Sequence, residues 1–320
     1  MSSDTGGVAA AATDKAIQRA LQGQVTVVTG GLGFIGASLS ARLGSLGAEV
    51  HTVGRSAPRC ASQTRHWQTD LADAAAVETL VQALKPSYVF HLASHVMGAP
   101  DRLHVLPAFR SNLQTTVNLL CALADVGCTR MITAGSLVEP DENQRSIPNS
   151  PYAAAKWASS DYARLFHALY KFPVAIARIF MVYGPGQNDM TKLVPYVINS
   201  VLRGIQPKIT SGSYAVDWIF VDDVVDGLIR LALAPGVDGK TVDLGSGSLI
   251  TTKNLVDLLC SLIGTPLSPA YGALPDRPLE PVRMADVAAS TRQIGWRPRT
   301  QLPEGLRRTI DWYRAVSGSA

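Results

Sequence analysis

A glycine-rich turn that joins a short apolar strand to a helix constrains this chain more than any other feature of its 320 residues. The β-branched run Val25–Thr29 predicts a buried strand, and a helix is predicted from Phe34 to Gly47. Four glycines stand at this junction, namely Gly30, Gly31, Gly33 and Gly36. Such a turn lets the backbone approach a pyrophosphate and directs unpaired N–H groups and the positive end of the helix dipole at it. Glycines alone do not exclude an ordinary βα turn, so a second strand that reads the ribose is required.

Predicted strands and helices alternate along the chain from Gly23. The predicted strands are Val25–Thr29, Glu49–Val53, Tyr88–Leu92, Arg130–Thr133 and Val174–Ile179. The predicted helices that separate them are Phe34–Gly47, Ala74–Leu84, Ser111–Val126 and Tyr152–Tyr170. Strands separated by helices pair in parallel, so the pattern predicts an α/β fold with a doubly wound parallel sheet of the Rossmann type.

The chain changes character after Gly184, where proline and glycine become frequent and the predicted elements become short. This change predicts a smaller C-terminal lobe at the carboxyl edge of the sheet, where open α/β sheets bind ligands. We therefore expect an NAD(P)-binding Rossmann domain at residues 22–183. Residues 184–320 are expected to form mainly a substrate-binding lobe, with residues at about 214–234 returning to the first domain. Residues 1–21 predict a flexible tail, with a helix from Asp14 onward as the alternative.

Composition excludes several classes of function. A hydrophobic content of 47% with 17% charged residues is typical of a globular protein with a large core, and a net charge of +4 from scattered basic residues predicts no nucleic-acid surface. No uncharged run reaches the roughly 18 residues that a membrane span needs, and the first residues lack a signal peptide. The four cysteines form no C-x-x-C pair and predict free, mostly buried thiols of a cytoplasmic protein. They are Cys60, Cys121, Cys128 and Cys260.

The catalytic candidates are a tyrosine and a lysine near the start of one predicted helix. Ser150 is a good N-cap and Pro151 suits the first helical position. Tyr152 and Lys156 then stand at i and i+4 on one helix face. A phenol is a poor acid or base at neutral pH, and a neighbouring ammonium is expected to lower its pKa. A surface Tyr and Lys that only share a face are the alternative.

The order of several motifs resembles the extended short-chain dehydrogenase/reductase family, in its nucleotide-sugar epimerase, dehydratase and ketoreductase branch. The resemblance runs from about Gln24 to Tyr313. The motifs that carry it are Thr29-Gly-Gly-Leu-Gly-Phe-Ile-Gly36, Asp70-Leu71, His91-Leu-Ala93, Tyr152-x-x-x-Lys156, Tyr183-Gly-Pro185, Val221-Asp-Asp-Val224 and Ile294-Gly-Trp-Arg-Pro298.

The resemblance implies roles for individual residues. The glycines hold the pyrophosphate of the cofactor, Asp70 and Leu71 border its adenine, Tyr152 is the acid/base, and Lys156 also bonds the nicotinamide ribose. The expected cofactor site is Gly30, Gly33, Phe34, Ile35, Gly36, Arg55, Ser56, Asp70, Leu71, Leu92, Ala93, Ser94, Tyr152 and Lys156. Asp70 as a helix cap remains an alternative. His91 is expected to be a satisfied strand histidine, and His95 to lie near the substrate or to serve packing. No metal site is expected.

The chain departs from the family pattern at the end of the second strand. Members that hold NAD usually carry an acidic residue there, whereas this chain has Arg55 followed by Ser56. Arginine suits a 2′-phosphate, so the resemblance implies NADP(H) rather than NAD. A solvated Arg55 without a ligand is the alternative.

Further departures concern the reaction loop. Matching Val138-Glu-Pro140 to the family's Val-Tyr-Gly places Gly135 where the family has a catalytic Ser or Thr. Ser136 is therefore expected to hydrogen-bond the substrate carbonyl, with Thr133 as the alternative. Leu137 stands where epimerase-reductases of the branch carry a cysteine, and no acidic pair of a dehydratase is present.

The C-terminal lobe is expected to bind the nucleoside diphosphate of the substrate. The candidates are Arg277 and Arg283, with Lys192 in addition, because guanidinium forks suit diphosphate oxygens. Many members have an arginine before Asp217, where this chain has Val216, so one phosphate contact is expected to be missing or moved.

These observations favour an NADPH-dependent ketoreductase that acts on a nucleotide-linked 4-keto-6-deoxyhexose or a similar keto-sugar. An NAD-dependent nucleotide-sugar 4-epimerase, a reductase of aromatic or isoprenoid ketones, and a non-catalytic cofactor sensor are the alternatives. Relatives pair two helices into a four-helix bundle, so a homodimer through Ser111–Val126 and Tyr152–Tyr170 is expected. The apolar residues that suggest it are Leu120, Cys121, Trp157, Leu165, Phe166 and Leu169.

Overall fold

The computed structural model describes residues 13–58, 64–140, 147–276 and 281–317. The chain divides into two compact units. One comprises residues 1–179, 225–243 and 288–296, and the other comprises residues 180–224, 244–287 and 297–320. Arg277 and Cys60, which the sequence analysis named, lie outside the described residues.

The strands and helices are labelled in chain order. The strands are β1 Val25–Thr29, β2 Glu49–Gly54, β3 Arg65–Gln68, β4 Tyr88–His91, β5 Arg130–Ser136, β6 Val174–Ile179, β7 Met181–Tyr183, β8 Ala215–Phe220, β9 Thr241–Leu244 and β10 Leu249–Thr251. The α-helices are α1 Asp14–Leu21, α2 Phe34–Ser45, α3 Ala74–Leu84, α4 Val105–Ala108, α5 Thr115–Val126, α6 Pro151–Tyr170, α7 Leu193–Leu202, α8 Val221–Leu233, α9 Thr252–Ile263, α10 Val287–Ile294 and α11 Leu302–Ser317.

The large sheet has seven strands in the order β3-β2-β1-β4-β5-β6-β9. The pairs from β3 through β6 are parallel, with Thr29 of β1 opposite both Val53 of β2 and His91 of β4. Parallel strands need crossover connections, and α2, α3, α5 and α6 supply them. This is the doubly wound α/β fold that the sequence predicts, and its order reverses between β1 and β4, the usual place of a nucleotide site in such sheets.

One face of this sheet packs on the helices that follow β3, β4 and β5. Val89 of β4 and Ile176 of β6 lie in one buried cluster with Leu80 of α3, Leu123 of α5 and Phe166 of α6. The strands are buried on both faces, so they are continuous apolar runs rather than alternating ones. This core fixes the carboxyl ends of the strands on which the candidate site is built.

Two local differences from the sequence prediction have physical reasons. The edge strand β3 was missed because Arg65–Gln68 is polar and partly exposed, without an apolar pattern. The predicted helix from Ser111 begins earlier, and Phe109–Gln114 is a π-helical stretch before α5. Of the two expectations for the first residues, the alternative of a helix from Asp14 onward is confirmed, because Asp14–Leu21 is helix α1 with Ile17 and Leu21 buried.

The second unit contains the small sheet β10-β8-β7, in which β8 pairs parallel to β7 and antiparallel to β10. Asp217 on β8 is 1% exposed, and its carboxylate accepts hydrogen bonds from the backbone N–H groups of Ser246, Gly247 and Ala285. Asp217 therefore ties β8 to two later segments of the same unit. Asp223 accepts N–H groups of Arg299 and Thr300 in the same way.

The described cysteines are free thiols, but only Cys260 is buried, whereas Cys128 is partly exposed and Cys121 is exposed. The expectation of mostly buried thiols is therefore wrong for Cys121. None of the helices in the described ranges combines the length and the apolarity that a membrane crossing requires.

Candidate active site

The carboxyl ends of β1, β2, β4 and β5 bring most of the predicted site residues into the first unit. The glycine turn follows β1, Arg55 follows β2, and Ala93 follows β4. Ser136 is the last residue of β5, and Tyr152 and Lys156 lie in the first two turns of α6. Parallel pairing places these strand ends along one edge, so residues far apart in sequence share one site.

The glycine turn is tight enough to exclude side chains. Gly30 has φ +68, and a Cβ added to it would lie 2.8 Å from the Ala93 nitrogen. A Cβ on Gly36 would collide with the carbonyl oxygen of Gly30. Glycine at both positions therefore allows the start of α2 and the end of β4 to close around the turn.

The first turn of α2 provides donors for an anion. Its N-cap is Gly33, which has no side chain to accept the first helical N–H groups, and no acidic residue stands in the first turn. The N–H groups of Phe34, Ile35 and Gly36 are therefore left by the helix itself for an external acceptor. Uncapped donors at a positive helix end beside a turn without side chains fit the pyrophosphate of a dinucleotide.

A hydrogen-bonded chain fixes the ends of β1 and β4. Thr29 Oγ1 is 2.7 Å from His91 Nδ1, and His91 Nε2 is 3.1 Å from Thr116 Oγ1. Thr116 donates its own hydrogen to the Asn112 carbonyl, so it accepts from His91, and the ring carries its hydrogen on Nε2. Burial lowers the pKa of His91 to about 3, and the neutral ring is a structural member of the site.

Two arginines, Arg55 and Arg110, lie near the carboxyl end of β2. Arg55 is exposed after β2, and its charge and that of Arg110 help to lower the pKa of Asp70, after the hydrogen bond from the Ala72 N–H. Asp70 forms an ion pair with Arg110 at 2.8 Å. Asp70 is not the cap of α3, because Asp73 is that N-cap. An open cleft of about 520 Å³ is lined by Arg55 and Arg110 together with Phe109 and others.

The Tyr152 phenol faces the hydroxyls of Ser136 and Ser94. The predicted lowering of its pKa is not observed. Burial raises the pKa of Tyr152 to about 12, and the charge of Glu139 acts in the same direction, while the two serines oppose it. The phenol therefore keeps its proton across the neutral range and is placed as a proton donor.

Lys156 does not lower the pKa of Tyr152, because its ammonium group is directed at the backbone of β5. Lys156 is 5% exposed, and its Nζ donates to the carbonyl oxygen of Ala134 at 2.8 Å. Burial lowers the pKa of Lys156 to about 8, and the charge of Glu139 raises it. The i, i+4 spacing places both side chains on one face, but the lysine is held by β5.

Two residues of the site were missed in the sequence. Asn112, 1% exposed in the π-helical stretch, accepts from the His95 N–H at 2.7 Å and from Ser94 Oγ at 3.0 Å. Glu139, 3% exposed, accepts from the Ser136 N–H at 2.6 Å. The signal for Asn112 was its place directly before the apolar residue Leu113 in the predicted helix. The signal for Glu139 was an acid where the family pattern has a tyrosine.

The predicted substrate residues fall into different parts of the structure. His95 is partly exposed in the first unit, and its Nε2 is 3.4 Å from Nδ1 of His104. Lys192 precedes α7 in the second unit and is 3.8 Å from Asp189. Arg283 is partly exposed in the second unit, and Arg277 lies outside the described residues. Val216, which replaces a family arginine, is buried in β8.

Comparison with known proteins agrees with the family resemblance that the glycine turn and the Tyr152 motif indicate. The chain matches the model of the NAD dependent epimerase/dehydratase family over residues 26–245. A probable dTDP-glucose 4,6-dehydratase of Sinorhizobium fredii is 30% identical to it, with 90% of this chain and 92% of the relative covered. A UDP-glucose 4-epimerase of Mycolicibacterium smegmatis is 29% identical, with 91% and 99% covered.

Solved structures show the same fold. A UDP-glucose 4-epimerase of Thermotoga maritima, solved with UDP-glucose, has a TM-score of 0.84 at 26% identity and covers 92% of this chain and 99% of its own. The Bordetella bronchiseptica enzyme WbmF, solved with NADH, has a TM-score of 0.82 at 26% identity, with 96% and 95% covered. The chain belongs to the NAD dependent epimerase/dehydratase family, an oxidoreductase-type enzyme family in the nucleotide-sugar branch of the extended short-chain dehydrogenases/reductases.

Proposed function

We propose that this protein is a ketoreductase that uses NADPH to reduce a nucleotide-linked keto-deoxysugar of the 4-keto-6-deoxyhexose type. The observation that carries the proposal is Arg55 at the end of β2, beside the glycine turn. The Gly30 N–H donates to the Val53 carbonyl at 2.9 Å, which joins the turn to this strand end. Arg55 stands where family members that hold NAD usually carry an acidic residue, and the neighbouring Asp70 forms an ion pair with Arg110.

A guanidinium in this position suits a 2′-phosphate, because it is planar, permanently charged and able to donate several hydrogen bonds. In the described ranges, the Arg55 guanidinium has no carboxylate within ion-pair distance. Ser56 follows it in an exposed bend and offers a hydroxyl and a backbone N–H to the same phosphate. The proposed cofactor site therefore combines the uncapped start of α2 with Arg55 and Ser56.

The proposed chemistry uses the hydride that the reduced dinucleotide supplies when bound. Tyr152 donates its proton to the oxygen of the keto group as negative charge develops there, and Ser136 hydrogen-bonds the same oxygen. The raised pKa of Tyr152 supports a donor role, because the phenol is protonated at neutral pH. Lys156 holds a positive charge near this oxygen and orients the nicotinamide ribose. The intact pair of Tyr152 and Lys156 on α6 also favours an enzyme over a non-catalytic cofactor sensor.

The proposed substrate is a nucleoside-diphosphate sugar. The Thermotoga maritima relative was solved with UDP-glucose, and WbmF was also solved with NAD⁺ and UDP. We assign the diphosphate to the lobe formed mainly by residues 184–320, with Lys192, Arg277 and Arg283 as its ligands, and the sugar to the neighbourhood of His95 and Ser136. Residues 22–183 hold the dinucleotide in this proposal.

A 4-epimerase is the second candidate, because the family is NAD-dependent and several similar structures are 4-epimerases. An epimerase oxidises and re-reduces one sugar, and it therefore shows no net consumption of reduced cofactor. Residues Gly135 to Leu137 contain no further acid, base or cysteine side chain, which fits simple reduction and argues against a dehydratase or a C3/C5 epimerase. A 4-epimerase needs no such group, so the consumption of reduced cofactor is what distinguishes it from a reductase.

We also propose that the protein is a homodimer formed by α5 and α6. Cys121 is exposed on α5, and Trp157, Leu165 and Leu169 of α6 are 37%, 42% and 63% exposed. Leu120 and Phe166, which were expected on this surface, belong to the core of the protomer instead. An exposed apolar helix face of this kind suits a second copy of the chain. Light scattering at micromolar concentration should give the dimer mass, and a monomer mass would contradict it.

The experiment that tests the proposed function is a screen of nucleotide-linked 4-keto-6-deoxyhexoses with NADPH and NADH in turn. Consumption of reduced cofactor is followed spectroscopically, and the sugar products are identified by mass and NMR. The proposal expects NADPH consumption equal to the amount of alcohol formed. Removal of the nucleotide from an active substrate should abolish turnover, whereas unchanged activity would indicate a reductase of simple ketones.

A further inference from the structure

Glu139 is a buried glutamate close to Ser136 that plays no part in the proposed mechanism. Glu139 lies in the turn after β5 and is 3% exposed. Both of its carboxyl oxygens accept hydrogen bonds, Oε1 from the Ser136 N–H at 2.6 Å and Oε2 from Ser160 Oγ at 3.0 Å. A carboxylate this deeply buried is stable only when hydrogen bonds and nearby cations compensate for lost hydration.

Gly135 is shaped to receive this carboxylate. A Cβ added to Gly135 would lie 2.8 Å from Glu139 Oε1 and 3.0 Å from Ile176 Cγ2. The space of a side chain at position 135 is therefore occupied by the glutamate. Gly135 is the position where the family pattern places its catalytic Ser or Thr, and Glu139 is the position where it has a tyrosine. These two departures from the family pattern fit each other in space, and they leave Ser136 next to Tyr152.

The charged groups that face Glu139 come from two elements. Lys156 and Tyr152 face it from α6, and Arg178 faces it from β6. Burial raises the pKa of Glu139, and its two hydrogen bonds and the charges of Arg178 and Lys156 oppose this rise. Arg178 also forms an ion pair of 3.2 Å with Asp243 of β9, so its charge is shared with another carboxylate. Lys156 further faces His91 of β4, which is neutral, and Glu139 is the charge that raises the pKa of this lysine.

We propose that Glu139 is a positioning residue of the active site, whose ionised carboxylate fixes the backbone of Ser136 and supplies the counter-charge for the buried Lys156 ammonium. It acts through Ser136 and Lys156 and does not touch the substrate, since both of its oxygens are bonded within the protein. Only the link from this charge to proton transfer rests on the proposed function. The charge of Lys156 can be measured without substrate.

The sign of the effect follows from the charges. Glu139 stabilises the Lys156 ammonium and disfavours a Tyr152 phenolate, so it raises the pKa of both groups. Glu139→Gln keeps the size and one acceptor oxygen for the Ser136 N–H but removes the charge. The Lys156 ammonium then loses its counter-charge, and its pKa should fall below the value of about 8.

The test is an NMR titration of protein that carries isotopically labelled lysine, without cofactor or substrate, with the Lys156 signal assigned by Lys156→Arg. Glu139→Gln should move the Lys156 midpoint to lower pH by roughly one pH unit, the scale of one nearby opposite charge. Glu139→Asp, which retains the charge, should restore most of the difference. The matched control is Glu78→Gln, which removes one charge from the exposed face of α3 and should leave the midpoint unchanged. A midpoint in Glu139→Gln equal to that of the wild type would overturn the proposal.

A second measurement uses the wild-type protein and does not depend on the folding of any variant. Labelled glutamate side-chain carboxyls report directly whether Glu139 is ionised at neutral pH. The proposal expects a carboxylate, and a neutral carboxyl group would overturn it because it supplies no counter-charge. If the keto-sugar assay also succeeds, the alkaline loss of kcat/KM should move to lower pH in Glu139→Gln. If that assay fails while the lysine titration behaves as expected, the proposed function is wrong and the positioning role stands.

Discussion

The glycine turn after β1 and the segment after β5 build neighbouring parts of one site by different means. The turn works through absent side chains, because Gly30 and Gly36 leave the backbone room to approach Ala93 and a ligand. The β5 segment works through a buried charge, because Glu139 fills the space at Gly135 and bonds the Ser136 N–H. The glycine turn depends only on the local spacing of glycines, so it can be predicted from the sequence. The β5 segment depends on which side chain reaches which space, and it becomes evident only in three dimensions.

The largest expected effect tests the phenol of α6 that faces Ser136 at the end of β5. Tyr152→Phe removes the proposed proton donor while keeping the ring, and kcat should fall roughly 10²–10⁴-fold with KM little changed. Steady-state kinetics with the keto-sugar substrate measure this effect. Tyr162→Phe, on the exposed side of the same helix, is the matched control and should retain full activity. A Tyr152→Phe enzyme with wild-type kcat would remove Tyr152 from the mechanism.

The next prediction tests the steric basis of the glycine turn. Gly36→Ala places a methyl group against the Gly30 carbonyl, so it should weaken binding of the reduced cofactor and lower the free energy of unfolding by about 1–3 kcal/mol, the usual scale of overpacking. Calorimetric titration with NADPH and urea denaturation measure the two effects.

Gly44→Ala is the control for this change in the same helix. No atom lies within 4 Å of the added Cβ at Gly44, and its φ is not positive. Alanine in place of this glycine should raise the free energy of unfolding by up to about 0.5–1 kcal/mol and leave cofactor binding unchanged. Equal behaviour of the two variants would show that the turn is not sterically limited.

A third prediction concerns the cofactor preference that the β2 end sets. Arg55→Asp should weaken NADPH binding by about 1.5–3 kcal/mol, or roughly 10- to 150-fold, because a charge-assisted contact to the 2′-phosphate is lost. NADH binding should be unchanged or stronger. The dissociation constants of both cofactors measure this preference, and Arg65→Gln on the exposed edge strand is the control. Equal affinity of the wild-type protein for both cofactors would contradict the assignment.

The last prediction concerns stability alone and sharpens the comparison at β5. Gly135→Ala should lower the free energy of unfolding by about 1–3 kcal/mol, because the added methyl group meets the Glu139 carboxylate and Ile176. The same substitution in a Glu139→Ala background should cost clearly less, since the space is then empty. A double-mutant cycle by urea denaturation measures this coupling. Additive effects would show that Gly135 and Glu139 are independent.

The sequence predicts the parts of the molecule that repeat a local pattern. The strand β1, the turn and α2 follow from β-branched residues, glycines and helical spacing, and Pro151 after Ser150 marks the start of α6. The parallel sheet follows from the alternation of these elements.

The remainder depends on tertiary contacts. The Lys156 ammonium bonds the carbonyl of Ala134 rather than the phenol, which the i, i+4 spacing cannot indicate. The pKa of Tyr152 is raised by burial, a property of the packed site and not of the helix. Asn112 and Glu139 are single polar residues whose partners lie on other elements, so no local pattern singles them out.

The most direct test of the reductase assignment is one incubation of the purified protein, as isolated, with a nucleotide-linked 4-keto-6-deoxyhexose and NADPH. The amounts of oxidised cofactor and of reduced sugar are measured together over the same time course. The account predicts one equivalent of NADPH consumed for each equivalent of alcohol formed, with NADH a poor substitute. Interconversion of two sugar nucleotides by protein that retains bound NAD, without consumption of added cofactor, would contradict it and establish the epimerase instead.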